Sequence, residues 1–296
     1  MSFEQPHSVR ESFAEGPDGT KLYVRYRQGP GQITFLLCDG IACDGYIYKY
    51  LWEDLASLGS VAHWNYRGHG RSGLPNDPSR IGVPDHAADL DAVRRALGDP
   101  PTVLIGHSLG TQIVLEAYRR RSEGLRALVL LCGTFGRVTY TFKGSDMLAT
   151  VLPNLIAAVE RHPRVARALW SRIPPSLGLS LARLSRDMDF SMVREEDVRP
   201  YFEHAAHVDF ELFLRMLREA GEHSAEDLLP HVACPVLVMA GERDSFTPSP
   251  LSKAMAEALP NSELVLVPTG THILPLEDRE LVRRTLASFL ATKSVG

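Results

Sequence analysis

The chain has 296 residues, 44% of them hydrophobic and 23% charged, with a mean hydropathy of −0.10 and a formal charge of −4. These values fit one large globular domain or two modest ones and exclude a disordered, collagenous or low-complexity chain. The slightly acidic balance provides no field for a phosphate backbone, so nucleic acid is not expected as a partner.

Residues 1–10 carry Glu4, Gln5, Pro6 and His7 where a signal peptide has an apolar block, which leads us to expect a cytoplasmic protein. Two extended segments between residues 9 and 28 flank Gly16-Pro17-Asp18-Gly19, and the second alternates Leu22, Val24 and Tyr26 with Tyr23, Arg25 and Arg27. This pattern predicts an opening β-hairpin. Short apolar runs follow at 33–38, 61–64, 103–105, 128–132, 236–240 and 264–267. Segments of helical period lie at 46–58, 87–97, 109–121, 251–259 and 279–291. Strands apolar on both faces that alternate with helices imply an α/β chain, with a mostly parallel central sheet and helices on both faces.

The rhythm breaks between Cys132 and Cys234, where no convincing strand occurs and Leu148, Val151, Leu152, Leu155, Ile156 and Val159 recur at helical spacing. A helical insertion is expected over 135–232, with the sheet-bearing core at 1–134 and 233–296. Its charge is polarised, net +5 over 143–186 and net −8 over 187–227. The two halves are expected to face and neutralise each other; the alternative is that the basic half, with Val165, Leu169, Trp170 and Ile173, lies on an anionic membrane or attracts an anionic substrate. Apolar runs such as 33–38 and 127–132 are six residues long, far below the roughly 20 of a bilayer span, so no stable membrane insertion is expected. Cys38, Cys43, Cys132 and Cys234 show no CxxC or zinc spacing and are expected as buried free thiols, with a Cys38–Cys43 bridge as the disfavoured alternative.

Chemistry concentrates at Gly106-His107-Ser108-Leu109-Gly110, which sits between a predicted strand and a predicted helix. A serine there stands on a sharply reversing turn, flanked by glycines where side chains would block the reversal, and its hydroxyl faces a helix N-terminus. A hydroxyl needs a base to take its proton, and the base needs a carboxylate to orient it. Asp244 follows the run 236–240, and His272 follows the run 264–267. Both positions are at the carboxyl ends of strands, where open α/β sheets gather ligands. Glu242 is the rival acid.

These residues, in the order Ser108, Asp244, His272, together with Asn65-Tyr66-Arg67-Gly68-His69-Gly70-Arg71-Ser72 and the Pro248 loop, resemble the α/β-hydrolase superfamily in its capped serine-hydrolase branch. The resemblance spans nearly the whole chain. It implies an α/β-hydrolase fold with a helical cap, and an oxyanion hole from the backbone N–H groups of Leu109 and of Ile41, after Gly40. It also implies an enzyme without a cofactor that acts on a small-molecule substrate with an apolar portion. The activities it covers are broad: esterase, lactonase, thioesterase, perhydrolase and lyase.

Asp39-Gly40 stands where the family commonly has His-Gly, and an ionised Asp39 aimed at the oxyanion would oppose the charge that develops there. Asp39 is therefore expected to hold the loop by accepting backbone hydrogen bonds. Asn65, which replaces an acidic residue of the family pattern, is read as structural. His107 is expected to pack beside the nucleophile and His69 to bond on the solvent side. His63, His162, His204, His207, His223 and His231 show no matching carboxylate in sequence and are read as structural or exposed. No zinc-protease motif occurs, no metal is expected, and the GxGxxG match at 68–73 is read as accidental. The leading expectation is a serine hydrolase cleaving a carboxylic ester or lactone through an acyl-enzyme on Ser108. The alternatives are a cofactor-free lyase or perhydrolase and a non-catalytic ligand receptor.

Overall fold

The computed structural model describes residues 8–185 and 188–293, so residues 1–7, read above for a leader, lie outside the described part. β1 (Val9–Glu15) and β2 (Lys21–Arg27) form the hairpin. β3 (Thr34–Cys38), β4 (Ser60–Trp64), β5 (Thr102–His107), β6 (Leu125–Leu131), β7 (Val236–Gly241) and β8 (Ser262–Val267) follow. Among the described residues they make one eight-stranded sheet in the order β1-β2-β4-β3-β5-β6-β7-β8. The six strands from β4 to β8 pair in parallel, and the hairpin adds an antiparallel edge.

The helices are α1 (Leu51–Ala56), α2 (Val83–Ala96), α3 (Leu109–Arg120), α4 (Val138–Thr141), α5 (Met147–Arg161), α6 (Pro163–Trp170), α7 (Pro175–Ser185), α8 (Glu195–Ala205), α9 (Phe210–Glu222), α10 (Ser249–Ala258), α11 (Leu274–Glu277) and α12 (Arg279–Thr292). Alternation along the strands sends Leu36 and Cys38 to a core shared with α2, α3 and α10, and Phe35 and Leu37 to one shared with α1 and α12. Burial on both sides is why these strands read as unbroken apolar runs rather than alternating ones.

Two helices differ from their periodicity. The predicted helix 46–58 splits into a 3₁₀ turn at Tyr46–Tyr48 and α1, and Gly45 enters the turn at φ +96°. The turn lets the Tyr48 hydroxyl reach back to the Cys38 carbonyl at 2.6 Å. α2 begins at Val83 rather than at 87, with Pro84 in its first turn and the Asp85 carboxylate accepting the Gly82 N–H at 3.2 Å. Both are helix-start signals that apolar spacing does not register.

Between β6 and β7 the described chain runs through α4 to α9, with an isolated bridge joining Gly136 to Ser224. The apolar stripe on α5 divides three ways. Leu152, Ile156 and Val159 form a small core with Leu214, Leu148 lines a cavity over the sheet, and Val151 and Leu155 are exposed. The two charged halves meet at Arg167–Asp209 and Arg183–Glu195, at 3.4 and 2.7 Å. Acidic residues also pair outward, Asp197 with Lys49 and Asp189 with Arg243. Trp170 stacks on Phe210 with ring centres 4.4 Å apart. All four cysteines are free, and Cys234 is half-buried rather than buried. No helix among the described residues is long and apolar enough to cross a membrane.

Candidate active site

β3 is flanked by β4 on one side and β5 on the other, so the chain leaves β3 in one direction and returns in the opposite one. At such a reversal the loops after the two strands diverge and open a crevice at their carboxyl ends. Asp39, Gly40 and Ile41 follow β3, and Ser108 follows β5. Topology alone brings the two loops side by side.

Ser108 has φ +54° and ψ −117°, a conformation that a side chain adopts only under constraint from its surroundings. The constraint is the tight passage from β5 into α3. A Cβ on Gly106 would lie 2.4 Å from the Gly110 carbonyl oxygen, and one on Gly110 would lie 2.2 Å from that of Cys38. Both positions therefore require glycine.

His272 stands between Ser108 and Asp244, with Nε2 3.0 Å from Ser108 Oγ and Nδ1 2.9 Å from Asp244 Oδ2. Asp244 accepts the N–H groups of Phe246 and Thr247 on Oδ1 at 2.8 and 2.9 Å, and the Thr247 hydroxyl lies 2.8 Å from Oδ2. Burial pushes its carboxyl pKa up, but the His272 ring and these donors outweigh burial and hold it below the usual carboxylate value. Glu242, the rival acid, is exposed.

Three contacts position His272 that sequence reasoning did not find. Phe246 stacks on its ring at 4.9 Å, and Thr247 braces its carboxylate. His107, expected only to pack, donates Nε2–H to the His272 carbonyl at 2.8 Å. Burial beside His272 lowers the His107 pKa to about 4, so its ring is neutral at pH 7. Aromatic character beside Asp244 was visible in the sequence, but nothing there linked His107 to a residue 165 positions away.

The loop after β3 is tied down from several directions. Asp39 and His63, both 1% exposed, meet at 2.7 Å, so the Asp39 carboxylate bonds a histidine ring rather than the expected backbone N–H groups. The Tyr66 hydroxyl donates to the Asp39 carbonyl at 2.6 Å. His69 is buried, contrary to the solvent-side expectation. It accepts the Ala42 N–H on Nε2 at 3.2 Å, and its Nδ1–H donates to the Arg67 carbonyl at 3.1 Å. Burial lowers the His69 pKa to about 4, consistent with a neutral ring that accepts on one nitrogen. Gly40 passes close enough to Ser108 and His107 that a Cβ would meet both at 3.2 Å. His63, His204 and His223, read as lacking carboxylates, have them through tertiary contact at 2.7, 3.9 and 3.4 Å. Asn65 accepts the Arg71 N–H and the Ser72 hydroxyl, and Arg67 is bonded twice to Asp89. The GxGxxG stretch lies in this irregular segment, well before α2.

Ser108 opens onto a cavity of about 240 Å³. Ile41 and Leu109 border it from the sheet side, Phe142, Leu148 and Phe213 from the helical segment above, and no charged side chain lines it. As the first residue of α3, Leu109 has no intrahelical acceptor for its N–H, which leaves a donor beside the hydroxyl. Asp39 is not part of the lining. No group of three or more His, Cys, Asp or Glu suited to a metal occurs among the described residues. The arrangement can activate a hydroxyl by proton removal and stabilise a negative charge formed on the oxygen of a carbonyl that the hydroxyl attacks.

Comparison with known proteins gives a consistent result. The family model described as alpha/beta hydrolase fold matches residues 33–279. The uncharacterized hydrolase YugF of Bacillus subtilis is 24% identical over 280 residues, covering 92% of this chain and 95% of its own. The putative carbamate hydrolase RutD of Pseudomonas savastanoi is 27% identical over 246 residues, covering 82% and 88%. The solved structure of the esterase EaEST from Exiguobacterium antarcticum superposes with a TM-score of 0.74 at 22% identity, covering 95% of this chain and 100% of that one.

Proposed function

The chain belongs to the alpha/beta hydrolase fold family, and from that premise we propose that it is a serine hydrolase cleaving a neutral carboxylic ester or lactone through an acyl-enzyme on Ser108. The observation that carries the reading is the Ser108–His272–Asp244 relay, at 3.0 and 2.9 Å, opening onto an uncharged apolar cavity.

In this reading His272 Nε2 takes the Ser108 proton as Oγ bonds to the carbonyl carbon, and Asp244 holds the ring in the productive tautomer and stabilises its charge. The carbonyl π pair moves to oxygen, and the resulting oxyanion is held by the N–H groups of Leu109 and Ile41. Collapse expels the alkoxide, which leaves with the proton from His272. Water then gives a proton to the same nitrogen and attacks the acyl carbon, and the proton returns to Ser108 as the acid departs. The helices between β6 and β7 act as a cap over 135–232 and supply most of the apolar wall.

Lyase or perhydrolase chemistry would draw on Asp39, the residue that departs from the family's common His-Gly pair. Its carboxylate is engaged by His63 and lies outside the cavity lining, which supports a role in holding the loop with Gly40.

The test is Ser108→Ala. Hydrolysis of short p-nitrophenyl esters is expected to fall by at least about 10³-fold, and labelling by a fluorophosphonate probe to vanish. Undiminished turnover in the variant overturns the assignment. Tight binding of a small ligand by a wild-type chain that neither turns over esters nor takes the probe supports the receptor reading.

A further inference from the structure

Gln112 is 1% exposed and stands one helical turn beyond Ser108 on α3, lining the same cavity. A turn is about 5.4 Å, and residues four apart share a helix face, so its side chain reaches the cavity at about that distance from the nucleophile. Its Oε1 lies 3.0 Å from Nδ1 of His223, at the end of α9. His223 Nε2 lies 3.4 Å from Glu116 Oε2, which also accepts Arg119 Nε–H at 2.9 Å. Burial pushes the Glu116 carboxyl pKa up, but His223 and Arg119 outweigh burial and hold it below its usual value. The His223 ring donates Nδ1–H to the carboxamide oxygen and so fixes its plane, with Glu116 beside Nε2.

With Oε1 turned to the His223 ring, the amide NH₂ is left on the side of the cavity that Gln112 lines. The other hydroxyls nearby are mostly engaged: Thr134 lies 3.2 Å from the Gly136 carbonyl, and Thr247 lies between Asp244 Oδ2 at 2.8 Å and the Cys132 carbonyl at 2.9 Å. A donor that lines an apolar cavity and has no protein acceptor is satisfied by a ligand atom placed opposite it. A site built around such a donor rejects analogues that lack the acceptor.

Resting on the serine-hydrolase reading, we infer that Gln112 determines specificity: the substrate is neutral and largely apolar, and its acyl chain carries one hydrogen-bond acceptor, a ketone or ether oxygen, about one helical turn from the scissile carbonyl. Gln112 donates to that oxygen, and His223 positions Gln112.

The experiment compares kcat/KM for p-nitrophenyl hexanoate with that of the esters bearing a ketone at carbon 3, 4 or 5. Intrinsic reactivity cancels when the oxo-to-plain ratio of a variant is divided by that of the wild type. At the best ketone position the ratio is expected to fall about tenfold in Gln112→Leu and Gln112→Met, and by less in His223→Ala. Ratios unchanged in both Gln112 variants overturn the inference, as does a preference lost only in Tyr201→Phe, the phenol on the cavity wall contributed by α8. Turnover of plain hexanoate, and its loss in Ser108→Ala, concern the hydrolase reading alone. If no ester is turned over, calorimetric binding of the methyl esters to Ser108→Ala decides: about tenfold tighter binding of an oxo ester supports the inference, and equal binding overturns it.

Discussion

Asp244 is 4% exposed and yet kept charged, because two N–H groups, a hydroxyl and an imidazole converge on it. Its charge then serves the His272 ring, which it orients and whose protonated form it stabilises. Replacing it by Asn keeps the shape but presents an amide that favours the wrong tautomer. Asp244→Asn is expected to lower kcat by about 10³ to 10⁴, as the same change does in serine hydrolases of other folds. Glu242→Gln, on an exposed side chain, is expected to stay near wild type in the same ester assay. The reverse outcome would make Glu242 the acid. Ser108, Asp244 and His272 could be read from the chain because each sits just past an apolar run, whereas the supports at His107 and His69 act across long sequence separations and leave no local pattern.

At the scale of elements, the turn from β5 into α3 depends on how closely helix and sheet approach. Gly110 brings α3 against the end of β3, where a Cβ would stand 2.2 Å from the Cys38 carbonyl oxygen. That approach sets the Leu109 N–H beside the loop carrying Ile41. The obstacle is backbone, which cannot swing aside as a side chain would. Gly110→Ala is therefore expected to destabilise the fold by about 3 kcal/mol or more, read from urea unfolding midpoints. A variant as stable as wild type would mean that the helix can shift without cost. The loop after β3 is held differently, through Tyr66 and His69, which each take one backbone partner in it, and through Tyr48, which bonds the Cys38 carbonyl at the end of β3. Its conformation is thus the product of several elements and is invisible in the residues 39–43 themselves.

For the molecule as a whole, several buried histidines have no room for charge. His69 and His107 have pKa values lowered to about 4, and that of His86 falls well below 6.5, burial being the main cause in each. An unfolded chain takes up these protons near pH 6.5 and the folded chain only near 4 or below. The unfolded state therefore binds more protons in that window, and stability falls as pH drops through it. Asp89, pushed up to about 6 by burial, works in the opposite direction between 6 and 3.8, but it is one group against three. Lowering the pH from 7.5 to 5 is expected to cost about 2 kcal/mol for each of His69 and His107. Urea midpoints at the two pH values test this, and His69→Gln should flatten the slope. Equal midpoints in wild type would show that these rings titrate normally.

The sequence by itself determined the alternation of strands and helices, the reversing turn at Ser108 and the order of the three relay residues. These depend on local spacing, on glycine at positions where a Cβ collides, and on where apolar runs end. Only the tertiary structure decided that Asp39 faces His63, that His107 tethers the backbone of His272, and that Gln112 is clamped by His223 against the cavity. Such contacts join residues between 24 and 165 positions apart. A hydrogen bond is fixed by distance and angle in space, and chain neighbours carry no record of the partner that folding brings within 3 Å.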